Sequence, residues 1–285
     1  MPWTAFLVKH NPIVGWFVKD NTIFHAWAAN LVRERINSRG EKQTLGPRDF
    51  LDRFLDAGST EKAPGYDLTL IMNWTIANVM AGADTTAIGL RAILYYVLKS
   101  PPKKEKLLHE IHSANLHCPV TWKESQQLPY LDACIKEAFR LHPAIGMGLE
   151  REVPASGLQL TDGYIVPAGT NVSINAWVLN RHAVFGDSAE KFIPERWLQQ
   201  EHESMEEYKE RMGAMKHADL TFGAGSRTCP GKNISLLEIY KVIPTLFLEY
   251  DIGLVDESGE WATVNRWLMR QENINCWLRR KSGGN

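Results

Sequence analysis

The hydrophobic and polar positions of the chain follow a helical period over most of its length. Apolar residues recur at helical spacing from about Thr22 to Ser38, and a short helix fits Asp49 to Leu55. A much longer helical pattern begins after Asp67, a good N-cap residue, and continues to the first of two consecutive prolines, Pro101. Its middle is apolar nearly all round, so the pattern predicts a central buried helix.

One stretch in the middle of this helix departs from the apolar pattern. The residues Ala81-Gly82-Ala83-Asp84-Thr85-Thr86 include glycine, aspartate and two threonines, all poor helix formers, where packing would favour leucine or alanine. Local conflicts of this kind are typical of functional sites.

The rest of the chain predicts further helices and a few short strands. Helices are expected at about Lys103–Ser113, Tyr130–Leu141 and Lys232–Glu249. Between Glu152 and Ala176, short β-type runs alternate with glycine turns and predict a small antiparallel sheet, and the tail from Trp261 to Leu278 predicts a hairpin. The predicted fold class is mainly α with a minor antiparallel β-sheet.

Composition and charge exclude several classes of protein. Of the 285 residues, 44% are hydrophobic and 23% are charged, which excludes wholesale disorder. The net charge of -1 gives no basic surplus of the kind that nucleic-acid binders show. The 4 cysteines form no C-x-x-C pair, so they indicate neither a disulfide scaffold nor a zinc knuckle. No segment reaches the ~18 consecutive apolar residues of a membrane span, which favours a cytoplasmic or peripheral membrane location.

A glycine-rich loop, Phe222–Gly231, contains the cysteine in the most unusual context, Cys229. It lies just before a predicted helix, where unpaired N–H groups and the helix dipole stabilise a thiolate. A thiolate on such a loop suits an axial ligand of haem iron. Two alternatives remain open from the residues alone. One is a glycine-rich turn with an incidental cysteine, and the other is a phosphate loop, although no Gly-Lys-Ser/Thr follows.

Four motifs together resemble the cytochrome P-450 family. Phe222-x-x-Gly225-x-Arg227-x-Cys229-x-Gly231 resembles its haem-binding signature. The other three are similar to its Glu-x-x-Arg pair, its Pro-Glu-Arg-aromatic motif and the Ala/Gly-Gly-x-Asp/Glu-Thr of its central helix. They are here Glu137–Arg140, Pro194–Trp197 and Ala81–Thr85. The four motifs also follow each other in the same order as in the family. Within the family, the chain looks most like filamentous-fungal members, pisatin demethylase-like or benzoate hydroxylase-like.

The resemblance implies roles for residues around a haem. Cys229 would be the axial ligand of the iron, on a loop shaped by Phe222, Gly225 and Gly231. Arg227 and Arg151 match positions that pair with the haem propionates, with His142 as a weaker match. Asp84 and Thr85 resemble the acid–alcohol pair that delivers protons to oxygen.

Two further groups of residues follow from the same resemblance. Glu137, Arg140 and Arg196 are expected to form a buried charge network that holds the cysteine loop. The substrate pocket is expected to be lined by two residues of the central helix and by the segment after His142, with Trp267 and Leu268 as weaker members. The lining residues are Met80, Ala83, Ala144, Ile145, Gly146 and Met147.

The implied function is that of a haem-thiolate monooxygenase, with haem b (iron protoporphyrin IX) as cofactor. It would insert one oxygen atom of O2 into a small lipophilic or aromatic substrate, in fungal secondary metabolism or detoxification. Electrons would come from NADPH through a flavoprotein NADPH–cytochrome reductase. A full-length relative would lie at the endoplasmic reticulum membrane.

The resemblance covers almost the whole chain but only the C-terminal part of the family's fold. We therefore expect a single partial domain, with residues 1–65 as substrate-channel roof helices and linker and residues 66–285 as the haem-binding core. The alternative hypothesis is a truncated, non-catalytic fragment with weak or no haem binding.

One histidine-rich stretch also has a metal-site interpretation. His109, His112, His117 and Cys118 lie within ten residues, and the first two share a helical face. The stretch lacks the H-E-x-x-H pattern, so a solvated helix end is the favoured interpretation.

Overall fold

The computed structural model describes residues 21–41, 48–59 and 67–281. The chain divides into two compact units, residues 1–83 and 84–285, and one long helix contributes residues to both. The expectation for residues 1–20, part of the predicted channel roof, lies outside the described residues, as does much of the predicted linker.

The helices and strands are numbered here in chain order. The α-helices are α1 (Asn21–Glu41), α2 (Phe50–Ser59), α3 (Leu68–Leu98), α4 (Pro101–Ser113), α5 (Trp122–Ser125), α6 (Pro129–Leu141), α7 (Ala176–Leu179), α8 (Met205–Ala218) and α9 (Lys232–Glu249). The strands are β1 (Arg151–Glu152), β2 (Leu158–Gln159), β3 (Ile165–Val166), β4 (Asn171–Val172), β5 (Tyr250–Leu254), β6 (Ala262–Arg266), β7 (Leu268–Glu272) and β8 (Cys276–Arg280). Short 3-10 turns occupy Ala183–Phe185, Pro194–Trp197 and Gly225–Arg227.

The N-terminal unit contains α1, α2 and the first part of α3. Its apolar contacts centre on Val32, Leu55 and Ile71, one from each helix. Charged pairs add to them, because Arg35 of α1 bonds the Asp49 carboxylate at 2.7 Å just before α2. Both helices predicted for this region are therefore present.

The central helix α3 begins where the sequence predicts. The Asp67 side chain accepts a hydrogen bond from the Leu70 N–H at 2.8 Å, which satisfies one of the free donors of the first turn. The helix then runs without interruption through Ala81–Thr86, so the poor helix formers do not break it.

The core of the C-terminal unit lies where the second part of α3 packs with α4, α6 and α9. Its fully buried residues include Ile93, Leu107, Ile135 and Ile243. A carboxylate from α4 caps α6, since Glu110 accepts the Tyr130 and Leu131 N–H groups at 2.7 and 2.8 Å. Helix α6, which carries the Glu-x-x-Arg pair, is therefore fixed both by apolar packing and by this inter-helix cap.

The strands form four antiparallel pairs, β1–β4, β2–β3, β5–β8 and β6–β7. The small sheet predicted between residues 152 and 176 is present as two separate pairs of two-residue strands. The predicted C-terminal hairpin is β6–β7, whose turn is the single residue Trp267 at a φ of 77°. The pairing of β5 with β8, which encloses this hairpin, was not predicted.

Candidate functional site

The cysteine loop is an exposed turn held by its own backbone. The Cys229 N–H donates to the Phe222 carbonyl at 2.8 Å, which closes the loop, and the Gly223 N–H donates to the Leu220 carbonyl at 3.0 Å. Gly223 and Gly225 adopt φ values of 72° and 67°, a region that glycine enters without strain. The Cys229 side chain is exposed at the amino end of α9, where negative charge is favoured.

The aromatic residue at the start of the loop anchors it to the core. The Phe222 ring meets Phe139 of α6 edge-on, with 5.7 Å between the centroids. Phe139 in turn lies against α3, because a Cβ added to Gly89 would lie 2.7 Å from its ring. A path of close packing therefore runs from the central helix through α6 to the cysteine loop.

The two arginines expected at the propionates lie on different elements. Arg227 ends the 3-10 turn of the loop, and its side chain is exposed. Arg151 starts β1 and donates to the Glu150 carbonyl at 2.8 Å. The segment just before β1 adjoins the loop, since Leu149 Cδ1 lies 3.7 Å from the Cβ position of Gly223.

A hydrogen bond between α3 and α9 lies directly next to Asp84 and Thr85, the two residues expected to form the acid–alcohol pair. Thr86 is buried, and its Oγ1 donates to Ser235 Oγ at 3.3 Å. Asp84, which is exposed, and Thr85, which is half-buried, immediately precede this contact on α3. Met80 and Ala83 lie further toward the amino end of the same helix, within the N-terminal unit.

The Glu137 carboxylate is the centre of a buried charge network. Arg140 binds it through Nη2 and Nε, both at 2.8 Å, and Arg196 Nε binds the same carboxylate at 2.8 Å. Trp197 Nε1 and the Ile193 N–H add two more bonds at 2.9 Å. These contacts bring together all three residues that the resemblance groups. Glu137 and Arg140 are fully buried.

Backbone carbonyls complete this network. Two guanidinium groups face one carboxylate, so one positive charge would remain without compensation. Both arginines donate further N–H groups to the carbonyls of one segment between α7 and the Pro194–Trp197 turn. Those carbonyls belong to Asn180, Phe185, Ser188, Ala189 and Lys191. Every N–H of Arg140 has a partner, which a buried cation requires.

The segment after α6 that is predicted to line the pocket is hydrogen-bonded to the turn of the C-terminal hairpin. The Met269 N–H donates to the Ala144 carbonyl at 2.9 Å, and the Gly146 N–H donates to the Trp267 carbonyl at 3.1 Å. Ile145 pairs with Leu268 in an antiparallel bridge. A Cβ at Gly146 would overlap the Met269 side chain, so this approach needs glycine. Met147 follows with its side chain exposed.

His142 lies in the core rather than at an open face. Its exposed fraction is 1%, and its Nε2 donates to the Met269 carbonyl at 2.8 Å. The ring lies between Trp177 and Trp261, at centroid distances of 5.9 and 4.7 Å. Burial lowers the pKa of the imidazole, so the neutral form is favoured. This environment does not suit the weaker expectation that His142 pairs with a haem propionate.

The histidine-rich stretch forms no metal centre in the described part of the chain. His117 pairs with Glu124 at 2.6 Å, and His112 contacts Lys281, so the two point to different partners. Separately, none of the helices within 21–41, 48–59 and 67–281 is long and apolar enough to cross a membrane.

The residues of the loop fit a haem. The donor set is right, because an exposed thiol can provide a thiolate ligand and an exposed guanidinium can meet a carboxylate. There is also open space beside the loop for a flat group, since no described residue other than the chain neighbours of Gly225 comes within 4 Å of the position where a Gly225 Cβ would be.

Comparisons with known proteins agree with this geometry. The family model for cytochrome P-450 matches residues 5–276. The cytochrome P-450 monooxygenase cicH of Emericella nidulans is 41% identical over 289 residues, which cover 99% of this chain and 56% of that protein. The cytochrome P-450 monooxygenase cfoH of Aspergillus candidus is 44% identical over 238 residues, covering 82% of this chain and 44% of that protein.

A solved structure shows the same fold. A crystal structure of a cytochrome P-450 (CYP102L1) superposes with a TM-score of 0.78 at 20% identity, covering 93% of this chain and 57% of that one. The chain thus spans about half the length of the curated relatives that it matches. On the family model and these relatives, the chain belongs to the cytochrome P-450 family.

Proposed function

We propose that this chain is the catalytic, haem-binding part of a monooxygenase that uses Cys229 as the thiolate ligand of haem b. The observation that supports this most directly is the exposed Cys229 thiol, on a loop closed by its own backbone at the amino end of the 18-residue helix α9. Bound haem would supply the reduction of O2 and the insertion of one oxygen atom into the substrate.

The chain's own residues would bind and orient the haem. Cys229 would hold the iron, while Arg227 and Arg151 would neutralise the propionates through charge-assisted hydrogen bonds. Gly225 leaves the loop open to a flat macrocycle, and the Phe222–Phe139 contact keeps the loop against α6. Glu137, Arg140 and Arg196 would fix the segments behind the loop rather than touch the haem.

Proton delivery would fall to Asp84 and Thr85. A carboxylate and a hydroxyl can relay protons from bulk water when both lie beside the reacting oxygen. Asp84 is open to solvent and can exchange protons with it, whereas Thr85 is partly withdrawn from water. The Thr86–Ser235 bond would keep this stretch of α3 in register with the helix that follows Cys229.

The substrate we propose is a small lipophilic or aromatic molecule. The family resemblance assigns Met80, Ala83 and the Ala144–Met147 segment to substrate binding, and their small or apolar side chains would each favour such a ligand. The relatives are fungal monooxygenases, and the role that we propose is in secondary metabolism or detoxification. The electrons would come from NADPH through a flavoprotein reductase, and a complete protein of this kind would lie at the endoplasmic reticulum membrane.

The test of this function is the spectrum of the haem-loaded protein. The wild-type chain is expressed, supplied with haem, reduced and exposed to CO, and we expect the Soret band of a thiolate-ligated iron. In Cys229→Ser we expect that band to be absent, because a hydroxyl does not provide the thiolate ligand. Cys118→Ser, which changes the other exposed cysteine, is the matched control and should keep the wild-type spectrum.

A persistent thiolate-type band in Cys229→Ser would contradict the ligand assignment. Failure of the wild-type chain to take up haem would favour the second candidate, a non-catalytic fragment. The observation behind that candidate is that the chain covers 56% of the length of its relative cicH.

A further inference from the structure

Asn180 connects two parts of the site that are far apart in sequence. It is fully buried at the carboxyl end of α7, and its carbonyl accepts a hydrogen bond from Arg140 Nη1 at 2.7 Å. Its side-chain Oδ1 accepts a second hydrogen bond, from the Leu220 N–H at 3.3 Å. One residue therefore contacts both the charge network and the segment that leads into the cysteine loop.

From Leu220 the hydrogen bonds continue to the cysteine itself. The Leu220 carbonyl accepts from the Gly223 N–H at 3.0 Å, and the Phe222 carbonyl accepts from the Cys229 N–H at 2.8 Å. These turns set where the loop leaves the body of the unit. A shift of Leu220 would therefore be passed through these turns to the Phe222 carbonyl and to Cys229.

We propose that Asn180 is a positioning residue, whose side-chain oxygen transmits the rigidity of the Glu137–Arg140–Arg196 network to the Cys229 loop. The inference rests on the proposed function, because that loop is the proposed haem-binding element. Asn180 would not touch the haem. It would act only through the Leu220 N–H.

The unpaired half of the amide supports a role beyond packing. Asn180 Nδ2 is buried and has no hydrogen-bond partner among the described residues. A buried donor without a partner destabilises a fold, so an apolar residue of similar size would serve stability better. The Oδ1–Leu220 bond is the interaction that only a side-chain acceptor at this position provides. Arg140, by contrast, binds the backbone carbonyl, which any residue would offer.

The experiment measures amide hydrogen exchange of the haem-free chain, resolved at Leu220 and Cys229. In Asn180→Ala the acceptor is lost, and we expect exchange at both amides to rise about tenfold, the effect of losing one net hydrogen bond. In Asn180→Asp a carboxylate oxygen replaces the amide oxygen, so exchange at both amides should stay near wild type. His182→Ala removes a side-chain acceptor two residues away that, among the described residues, bonds the Val184 N–H, and it should leave both amides unchanged.

The CO-bound spectrum is the second measurement. Asn180→Ala should form a smaller thiolate-type fraction than wild type, and Asn180→Asp should restore it. Equal exchange in wild type and Asn180→Ala, equal loss in the Ala and Asp variants, or an equal rise in His182→Ala would each overturn the proposal.

Two provisions keep the test decisive. If circular dichroism shows that Asn180→Ala is unfolded, Asn180→Ser replaces it, because its shorter side chain leaves Leu220 without the acceptor and the same outcomes apply. The exchange measurement needs no haem. A chain that lacks a thiolate-type spectrum even as wild type would therefore count against the proposed function and not against this link.

Discussion

At the scale of single residues, the site depends on how one buried carboxylate is used. Glu137 binds two guanidinium groups, an indole N–H and a backbone N–H, so both of its oxygens are fully engaged. A buried ion pair adds little net stability, but removing one member leaves buried charge without compensation. Loss of one member should therefore lower the free energy of unfolding strongly, even if the intact network adds little to it.

We predict that Glu137→Gln destabilises the chain by about 3 kcal/mol or more, because the buried Arg140 and the largely buried Arg196 lose the carboxylate that both of them bind. Urea denaturation followed by circular dichroism measures the change. Glu190→Gln is the matched control. Its carboxylate pairs with Arg181 while 73% exposed, and the change should cost below about 1 kcal/mol. Similar costs for the two variants would show that the buried network contributes no more than a surface pair.

The sequence reveals this network only in part. Glu137 and Arg140 lie three residues apart on one helical face, and Arg196 follows from the family resemblance. The carbonyls that complete the network could not be predicted, because every residue has a carbonyl and its use depends on the tertiary fold. Asn180 leaves a weak signal, a polar residue directly after the apolar run of α7, but nothing local indicates that its partner is Leu220.

At the scale of elements, long periodic patterns were predictable and pairings across the chain were not. Helix α9 begins at Lys232 and ends at Glu249 as predicted, since its apolar period is continuous and a glycine-rich loop precedes it. The β5–β8 pair joins residues from both sides of a hairpin, and no local pattern reports such a pairing. The position of the hairpin turn at Trp267 could not be predicted either, because tryptophan rarely adopts a positive φ and is not a turn signal.

Close packing of helices predicts opposite effects for the same substitution at two glycines. In Gly89→Ala the new Cβ would lie 2.7 Å from the Phe139 ring, so we expect a net loss of about 1 kcal/mol despite the gain in helix propensity. Gly213, inside α8, has open space at its Cβ position among the described residues, and Gly213→Ala should stabilise by about 0.5–1 kcal/mol.

Thermal or urea unfolding measures both glycine variants. Because Phe139 also contacts Phe222, Gly89→Ala should change the near-ultraviolet circular dichroism of the aromatic residues, whereas Gly213→Ala should not. Stabilisation by Gly89→Ala would mean that Phe139 has room to move and that the path from α3 to the cysteine loop is loosely packed.

At the scale of the whole molecule, stability should depend on pH through His142. Burial lowers its pKa in the folded chain below the ordinary value of about 6.5. The unfolded chain therefore binds more protons between the two values, and the free energy of unfolding falls as the pH drops through that window. Above pH of about 6.5 the full contribution is present.

We predict that His142→Gln flattens the pH dependence of the unfolding free energy between about pH 7.5 and 5.5, because glutamine does not titrate but can still donate to the Met269 carbonyl. Denaturation at several pH values measures the slope. His182→Gln, at an exposed histidine, should keep the wild-type slope. Identical slopes in wild type and His142→Gln would place the acid sensitivity in other groups.

The carbonyl contacts of Arg140 and Arg196 restrict which sequence changes the segment from residue 180 to residue 191 can accept. Five backbone carbonyls between residues 180 and 191 are held at set positions, while the side chains attached to most of them take no part. Homologues should thus differ at the exposed positions of this stretch yet agree in its length, while Phe185 and Ala189 stay apolar because they belong to the core. Inserting or deleting a single residue there would shift several carbonyls at once, which no compensating side-chain change elsewhere could restore.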